Sequence, residues 1–335
     1  MRISKTQCEI FIPRRGHYHK HSPDMNSLKV ACIIPTYNGR LELIRLLESL
    51  QTQTLKCDLF IVDSSSNDGT AEIADFYCEN VLRIPSDEFN HGGTRQRMVN
   101  RYPDYDIYVF LTQDACLANE RAIDRIVAPF ADPSVSAVCG RQLPHLDASA
   151  LAQHARLFNY PAHSIVKSIK DVPELGIKTP FISNSFSAYR LQALLEVGGF
   201  PKHVVLSEDM YVAAKMLING WKVAYAGDAI CRHSHNYTLL EEFRRYFDQG
   251  VFHAREPWIR QRFGGAGGEG IRYVQSELRY LGLSRSYLWP EALIRNALKL
   301  FAYKLGQNEK LLPIRLKRRL SMHKRYWDGP FAEGK

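Results

Sequence analysis

From residue 28 onward the chain alternates short apolar runs with polar stretches. Leu28–Ile34 is almost unbroken in apolar side chains, which predicts a strand buried on both faces and closed by Pro35. Leu43, Ile44, Leu47 and Leu50 then recur at helical spacing. Asp58–Val62 predicts a second strand, Ser64–Gly69 a polar turn and Thr70–Tyr77 a helix. Val81–Ile84 and Ile107–Leu111 predict two more strands, followed by a helix over Asn119–Phe130 and a strand over Val135–Cys139. Strands alternating with helices predict an α/β fold, a Rossmann-like mostly parallel sheet with helices on both faces.

The second half is less regular. Ile182–Tyr189 predicts a strand, Gly198-Gly199 a sharp turn, Glu208–Ile218 a helix stopped by Gly220, and Trp221–Tyr225 a strand. Leu239, Leu240, Phe243 and Phe247 form an amphipathic stripe. The glycine-rich run Gly264–Gly270 predicts a break, after which the pattern is purely helical. There, Leu293, Ile294, Ala297, Leu298, Phe301 and Leu305 share one face, with Arg295 and Lys299 on another. Residues 1–27 are polar and read as a flexible extension. His17, His19 and His21 alternate within it, without other ligand types nearby.

Composition narrows the class. Of 335 residues, 45% are apolar and 24% charged, enough for a packed core and against wholesale disorder. The net charge of +9 suits polyanionic partners, but no aromatic ribonucleoprotein pattern, zinc signature or helix-turn-helix points to nucleic acid. Seven cysteines, an odd number without a CxxC pair, fit a reducing compartment better than a disulfide framework. No apolar run approaches the ~18 residues of a membrane span, and no secretory signal is evident. The expectation is a cytoplasmic protein, soluble or peripheral on the inner face of the membrane.

In open α/β sheets, ligands bind at the carboxyl ends of strands. The first predicted strand ends in Pro35-Thr36-Tyr37-Asn38, the second in Asp63 and the fourth in Thr112-Gln113-Asp114. Each acid taken singly would more often be a helix cap or turn residue than a functional group. The combination says more. Pro35–Asn38, the segment Val62–Thr70 with its Asp68-Gly-Thr, a strand ending in Asp114, and Ser207-Glu208-Asp209 opening a helix together resemble the inverting family 2 glycosyltransferases of GT-A fold, over residues 28–250.

That resemblance implies a catalytic domain over 28–250, with a nucleotide-binding half (28–115) and an acceptor-binding half (116–250), followed by a basic helical region over 251–335. It implies that Asp63 hydrogen-bonds the base of a nucleotide-sugar donor, flanked by the main chain of Pro35, Thr36 and Tyr37, with Asp68 supporting the pocket. Gln113 and Asp114 would face the donor. Asp114, as the last acid of a DxD motif, would hold a divalent metal, Mn²⁺ or Mg²⁺, on the diphosphate. Here Thr112 and Gln113 replace the rest of the motif, leaving one carboxylate, which Mg²⁺ tolerates. His233 matches a histidine that reaches the metal in the family, with His235 in reserve, and imidazole suits Mn²⁺ better. Asp209 is the implied catalytic base and Glu208 its neighbour, although both acids also suit a helix N-terminus.

Phe89-Asn-His91-Gly92-Gly-Thr-Arg95 resembles a segment of bacterial rhamnosyltransferases that build O-antigen and exopolysaccharide, with Gln96 at the usual asparagine. Tyr246–His253, and Leu320–Lys324 with Tyr326-Trp327, resemble the same group. This implies a dTDP-L-rhamnose donor and a glycan or lipid-diphosphate-linked acceptor. His91 would touch sugar or base, Gly92 would admit the ligand to the backbone, and Arg95 would pair with a phosphate. A tight turn with a surface arginine is the other reading. Another donor such as a UDP-sugar is one alternative, and a non-catalytic sugar-nucleotide binder, suggested by the depleted DxD, is the other. From Lys310 to Arg325 there are seven lysines or arginines and no acid. Such a segment suits either an anionic membrane surface or packing on the catalytic domain.

Overall fold

The run that opens the ordered pattern becomes the centre of a nine-stranded sheet in the computed structural model, which describes residues 28–265 and 268–333. The strands are β1 (Val30–Thr36), β2 (Asp58–Asp63), β3 (Val81–Arg83), β4 (Ile107–Leu111), β5 (Cys116–Leu117), β6 (Val135–Leu143), β7 (Ile165–Lys167), β8 (Phe186–Arg190) and β9 (Lys222–Arg232). Their order is β3-β2-β1-β4-β8-β6-β9-β5, with β7 also paired to β9. The half β3-β2-β1-β4 is parallel throughout, and β6 runs parallel to β9. β8 is antiparallel to both neighbours, as are β5 and β7 to β9.

Alternation along the strands divides the core into two layers. Ile33, Tyr108 and Phe110 face one side, and Cys32, Ile34, Val109 and Leu111 the other, each fully buried. Because β2 and β4 flank β1 on opposite edges, the chain leaves β1 in one direction and returns in the other. This creates a crevice at the carboxyl ends of β1 and β4, where ligands bind in such sheets. Thr36 ends β1, and Gln113 and Asp114 follow β4.

Several helices were not legible in the pattern, two of them of ten residues or more. Of these two, one spans His91–Arg101, with two glycines directly after His91, and the other spans Ala150–Asn159. The strand expected at Trp221–Tyr225 continues to Arg232, with an irregularity in its pairing to β6 opposite Gly140/Arg141. That extension carries the chain to His233. The histidines of residues 1–27 lie outside the described residues.

The helical end of the chain is packed onto the sheet domain. Helix Leu239–Arg255, within which position 250 falls, crosses helix Trp289–Gln307. Their backbones touch at two glycines. A Cβ on Gly306 would sit 2.0 Å from the Phe247 carbonyl oxygen, and one on Gly250 2.2 Å from that of Tyr303. Arg255 donates to the Tyr326 hydroxyl and to the carbonyls of Phe331 and Ala332, and Trp327 is buried beneath it. Helix Trp289–Gln307 turns Ala292, Ala302 and Gly306 inward, together with Arg295 and Lys299, which pair with Glu242 at 2.8 and 3.0 Å. Its large apolar side chains Leu293, Ile294, Leu300 and Phe301 are exposed. Among the described residues, no helix is long and apolar enough to cross a membrane.

Candidate active site

A cavity of about 740 Å³ opens over the carboxyl ends of β1 and β4. Thr36, Tyr37, His91, Arg95, Gln113, Asp114, Glu208, Asp209, His233 and His235 line it, so most of the side chains singled out in the sequence do converge. Three non-glycine residues among those described have positive φ: Asn38 (44°), Ser65 (61°) and Ser207 (60°). All lie in loops bordering this crevice, where strained backbone commonly collects.

Asp114, His233 and His235 form one cluster. Their ligating atoms all lie within 4.8 Å of one another. Nε2 of His233 is 3.3 Å and Nε2 of His235 3.6 Å from Asp114 Oδ2. The orientation of His233 is set from behind. Arg156 can only donate, and it donates to Gln142 Oε1 at 2.8 Å. That oxygen is therefore an acceptor, and Nδ1–H of His233 donates to it at 2.9 Å. Burial holds the His233 imidazole below its ordinary basicity, so Nε2 readily gives up the proton it shares with Asp114 and can then offer its lone pair to a cation at the same point. Burial would by itself raise the Asp114 carboxyl, but the hydrogen bond and charge of His233, with His235, hold it well below the usual carboxylate range. Two imidazole lone pairs and a carboxylate facing one point fit a divalent cation. The Arg156–Gln142–His233 relay is the outer support such a ligand needs. Neither Gln142 nor Arg156 was singled out in the sequence. A buried glutamine on a central strand was the available sign.

Glu208 and Asp209 occupy the first turn of helix Glu208–Ile218, and their surroundings separate them. Glu208 is buried and held on Oε1 by Arg95 Nη1 (3.0 Å) and Asn184 Nδ2 (2.8 Å). The Arg95–Glu208 pair has side-chain exposures of only 4% and 7%. Removing one partner of so buried a pair costs roughly 3–5 kcal/mol. Asp209 forms no ion pair among the described residues. Its oxygens accept from the main-chain amides of Asn184 (3.0 Å) and Met210 (2.8 Å). Burial and the neighbouring Glu208 charge push its carboxyl up to about 7. One acid is thus locked in place and the other poised to exchange a proton. Asn184 links them, and its orientation is fixed by the Ser187 and Tyr189 hydroxyls. It was missed within a stretch read as strand. The polar triplet Ser183-Asn184-Ser185 marked the departure.

Several expected donor contacts take other positions. Arg95 is engaged by Glu208 and the His91 carbonyl, so it is a partner of the acid and not a free phosphate ligand. Gly92 lies in the first helical turn against the chain at Pro201, whose carbonyl oxygen a Cβ would meet at 1.9 Å. The glycine serves close packing there and not ligand access. Gln113 uses both ends of its amide on the Tyr37 main chain, at 2.8 and 3.0 Å, and braces the β1 loop. Asp68 caps its own turn through Thr70 N–H and hydroxyl, and stands outside the cavity. Asp63 is buried behind the wall, accepting from the Thr36 and Ser66 hydroxyls at 3.1 and 2.6 Å. It shapes the floor through Thr36. Two unforeseen hydroxyls, Ser64 Oγ and Thr112 Oγ1, line the cavity and are buried; among the described residues Ser64 Oγ has no hydrogen-bond partner, and Thr112 Oγ1 lies beside Asp114.

The far wall comes from the end of the chain. Met322, His323 and Arg325 line the cavity, with Nδ1 of His323 3.4 Å from Nε2 of His91. Burial and the Arg95 charge hold His91 down to about 3, so that ring is neutral. Asp248 anchors this strap by accepting from Met322 N–H and His323 N–H at 2.9 and 3.2 Å.

A half-parallel sheet with an Asp-His-His cluster and a separately tuned acid pair over its switch point defines a GT-A glycosyltransferase. The chain belongs to glycosyl transferase family 2, whose profile matches residues 31–198. It is 50% identical over 303 residues to an O-antigen chain rhamnosyltransferase, RfbN, of Salmonella typhimurium strain LT2, covering 90% of this chain and 96% of that one. It is 49% identical over 298 residues to the O-antigen chain rhamnosyltransferase WbaN of Salmonella anatum, covering 88% and 95%. Among solved structures, the mannosyltransferase PcManGT of Pyrobaculum calidifontis, in complex with GDP-Man and Mn²⁺, superposes with a TM-score of 0.54 at 20% identity, over 91% of this chain and 87% of that one. That similarity carries the fold.

Proposed function

We propose that the enzyme transfers L-rhamnose from dTDP-L-rhamnose to a glycan or lipid-diphosphate-linked acceptor during synthesis of an O-antigen or related surface polysaccharide. The transfer chemistry rests on one observation, the metal-ligand cluster and the raised carboxyl of Asp209 facing a single cavity. The choice of sugar rests on the 50% identity to an O-antigen chain rhamnosyltransferase across nearly the whole of both chains.

In this reading the acceptor hydroxyl attacks the anomeric carbon opposite the diphosphate, inverting it. The bond from that carbon to the phosphate oxygen breaks, and the diphosphate leaves with the electron pair. Asp209 takes the hydroxyl proton as the new bond forms. Glu208, immobilised by Arg95 and Asn184, orients the acceptor side. Asp114, His233 and His235 would hold Mn²⁺ or Mg²⁺, the two imidazoles favouring Mn²⁺. Such an ion supplies charge neutralisation for the departing diphosphate. Tyr37, half exposed at the rim, and the Ser64 and Thr112 hydroxyls offer contacts for the nucleotide.

Calorimetry with dTDP-, UDP- and GDP-sugars in Mn²⁺ tests the donor. Preference for dTDP-L-rhamnose by about tenfold, or 1.4 kcal/mol, is expected. Tighter binding of a UDP-sugar would transfer the assignment to that donor.

The lipid-linked acceptor brings the enzyme to a membrane. Leu311 and Ile314 are exposed beside Lys310 and Arg315 in the chain, and Leu293, Ile294 and Phe301 are exposed on the preceding helix, a mixture of apolar side chains and cations that matches an anionic bilayer surface. Flotation with vesicles containing phosphatidylglycerol should recover the protein at low salt and lose it at high salt. Equal recovery with neutral vesicles, or none with anionic ones, would reject this contact.

A further inference from the structure

A diphosphate brings several negative charges into the cavity, and among the described residues the arginines and lysines lining it are Arg95, Arg156, Arg245 and Arg325. Three are engaged. Arg95 holds Glu208. Arg156 holds Gln142 and lies 5.7 Å from the centre of the Tyr160 ring. Arg325 donates to the carbonyl and hydroxyl of Ser86. Arg245 forms no ion pair among the described residues.

The position of Arg245 suits a phosphate. Its guanidinium carbon lies 5.9 Å from the centre of the Tyr237 ring, and that ring is 4.9 Å from the His235 imidazole of the metal-ligand cluster. In the other direction its charge is close enough to lower the basicity of His91 and His323. It therefore stands between the cluster and the strap. Gln249, one turn further along the same helix, lines the cavity on the same face. Phe247 and Val251 bury the opposite face, and Asp248 ties the helix to the strap, so this cation is presented from a fixed rod.

We propose that Arg245 is the protein's own cation for the donor diphosphate, supplied by a helix outside the family-matched segment 31–198. The inference rests on the nucleotide-sugar reading above. Its site is distinct from the Asp-His-His cluster and is read by a different measurement.

Calorimetry with dTDP and dTMP in Mn²⁺, and with UDP and UMP in parallel, tests it. Arg245→Ala should weaken nucleoside diphosphate binding about tenfold or more and leave the monophosphate within about twofold. Arg245→Lys should recover part of the loss, and the melting temperature of both variants should match the wild type. Diphosphate affinity within about twofold of wild type, or an equal loss for mono- and diphosphate, would overturn the assignment. If the wild type binds only UDP, the rhamnose donor fails while Arg245 is judged on the UDP and UMP pair. If it binds none of the four, the donor reading falls and this inference with it.

Discussion

Asp209→Asn should lower the rate of transfer by about 10²- to 10⁴-fold, the range over which a positioned general base contributes. The dissociation constant of the donor should stay within about twofold. Asparagine keeps the shape and an acceptor for one of the Asn184 and Met210 amides, but cannot take the acceptor's proton. The wild-type pH profile should report the same group. Burial and the Glu208 charge push its carboxyl up to about 7, so the neutral, protonated form grows as pH falls through that value. Only the ionised form accepts a proton, so kcat/KM should decline about tenfold per pH unit well below 7. Retained turnover in Asp209→Asn would assign the proton to another group.

Asp114→Asn should produce the second large effect. Asp114 is the carboxylate of the cluster, and its loss leaves two neutral imidazoles to hold a dication. Mn²⁺ affinity in the presence of donor should fall by at least ~100-fold, beyond the 10- to 100-fold typical of losing an outer-shell partner. Gln142→Ala provides that milder comparison, since it releases the Nδ1–H of His233 without removing a ligand. Calorimetric titration of Mn²⁺ with dTDP present measures both. Donor affinity that is the same with Mn²⁺ and with EDTA, in wild type and variant alike, would remove the metal from the reading.

The parts of this molecule legible in its sequence are those where a single run of residues decides the outcome. The apolar runs of β1 and β4 announced a buried parallel sheet, and the polar residues that close and follow them announced its ligand edge. Ser207-Glu208-Asp209 fell at a helix start, as read. What stayed hidden depends on partners far away in the chain. Nothing local says that Arg95 is claimed by an acid 113 residues later, or that Gln113 is consumed by the Tyr37 backbone 76 residues earlier. Helix His91–Arg101 was obscured by Gly92 and Gly93, poor helix formers tolerated because Asn90 caps the Gly93 amide at 2.7 Å and Pro201 needs the room. Helix Trp289–Gln307 inverts the usual amphipathic rule. Its charges face inward onto Glu242, so a periodicity argument identified a helix but not the face it buries.

The glycine crossing between helices Leu239–Arg255 and Trp289–Gln307 has a mechanical consequence. Where main chain rests directly on main chain, no pliable side chain intervenes to absorb a tilt, and the two rods behave as one lever. One arm bears Arg245 at the cavity and Asp248 beneath the strap; the other presents Leu293 and Phe301 to the exterior. Trimming the chain ahead of Gly306 would take away the fulcrum beneath the first arm, so residues far downstream of the sheet belong to the working parts of the enzyme.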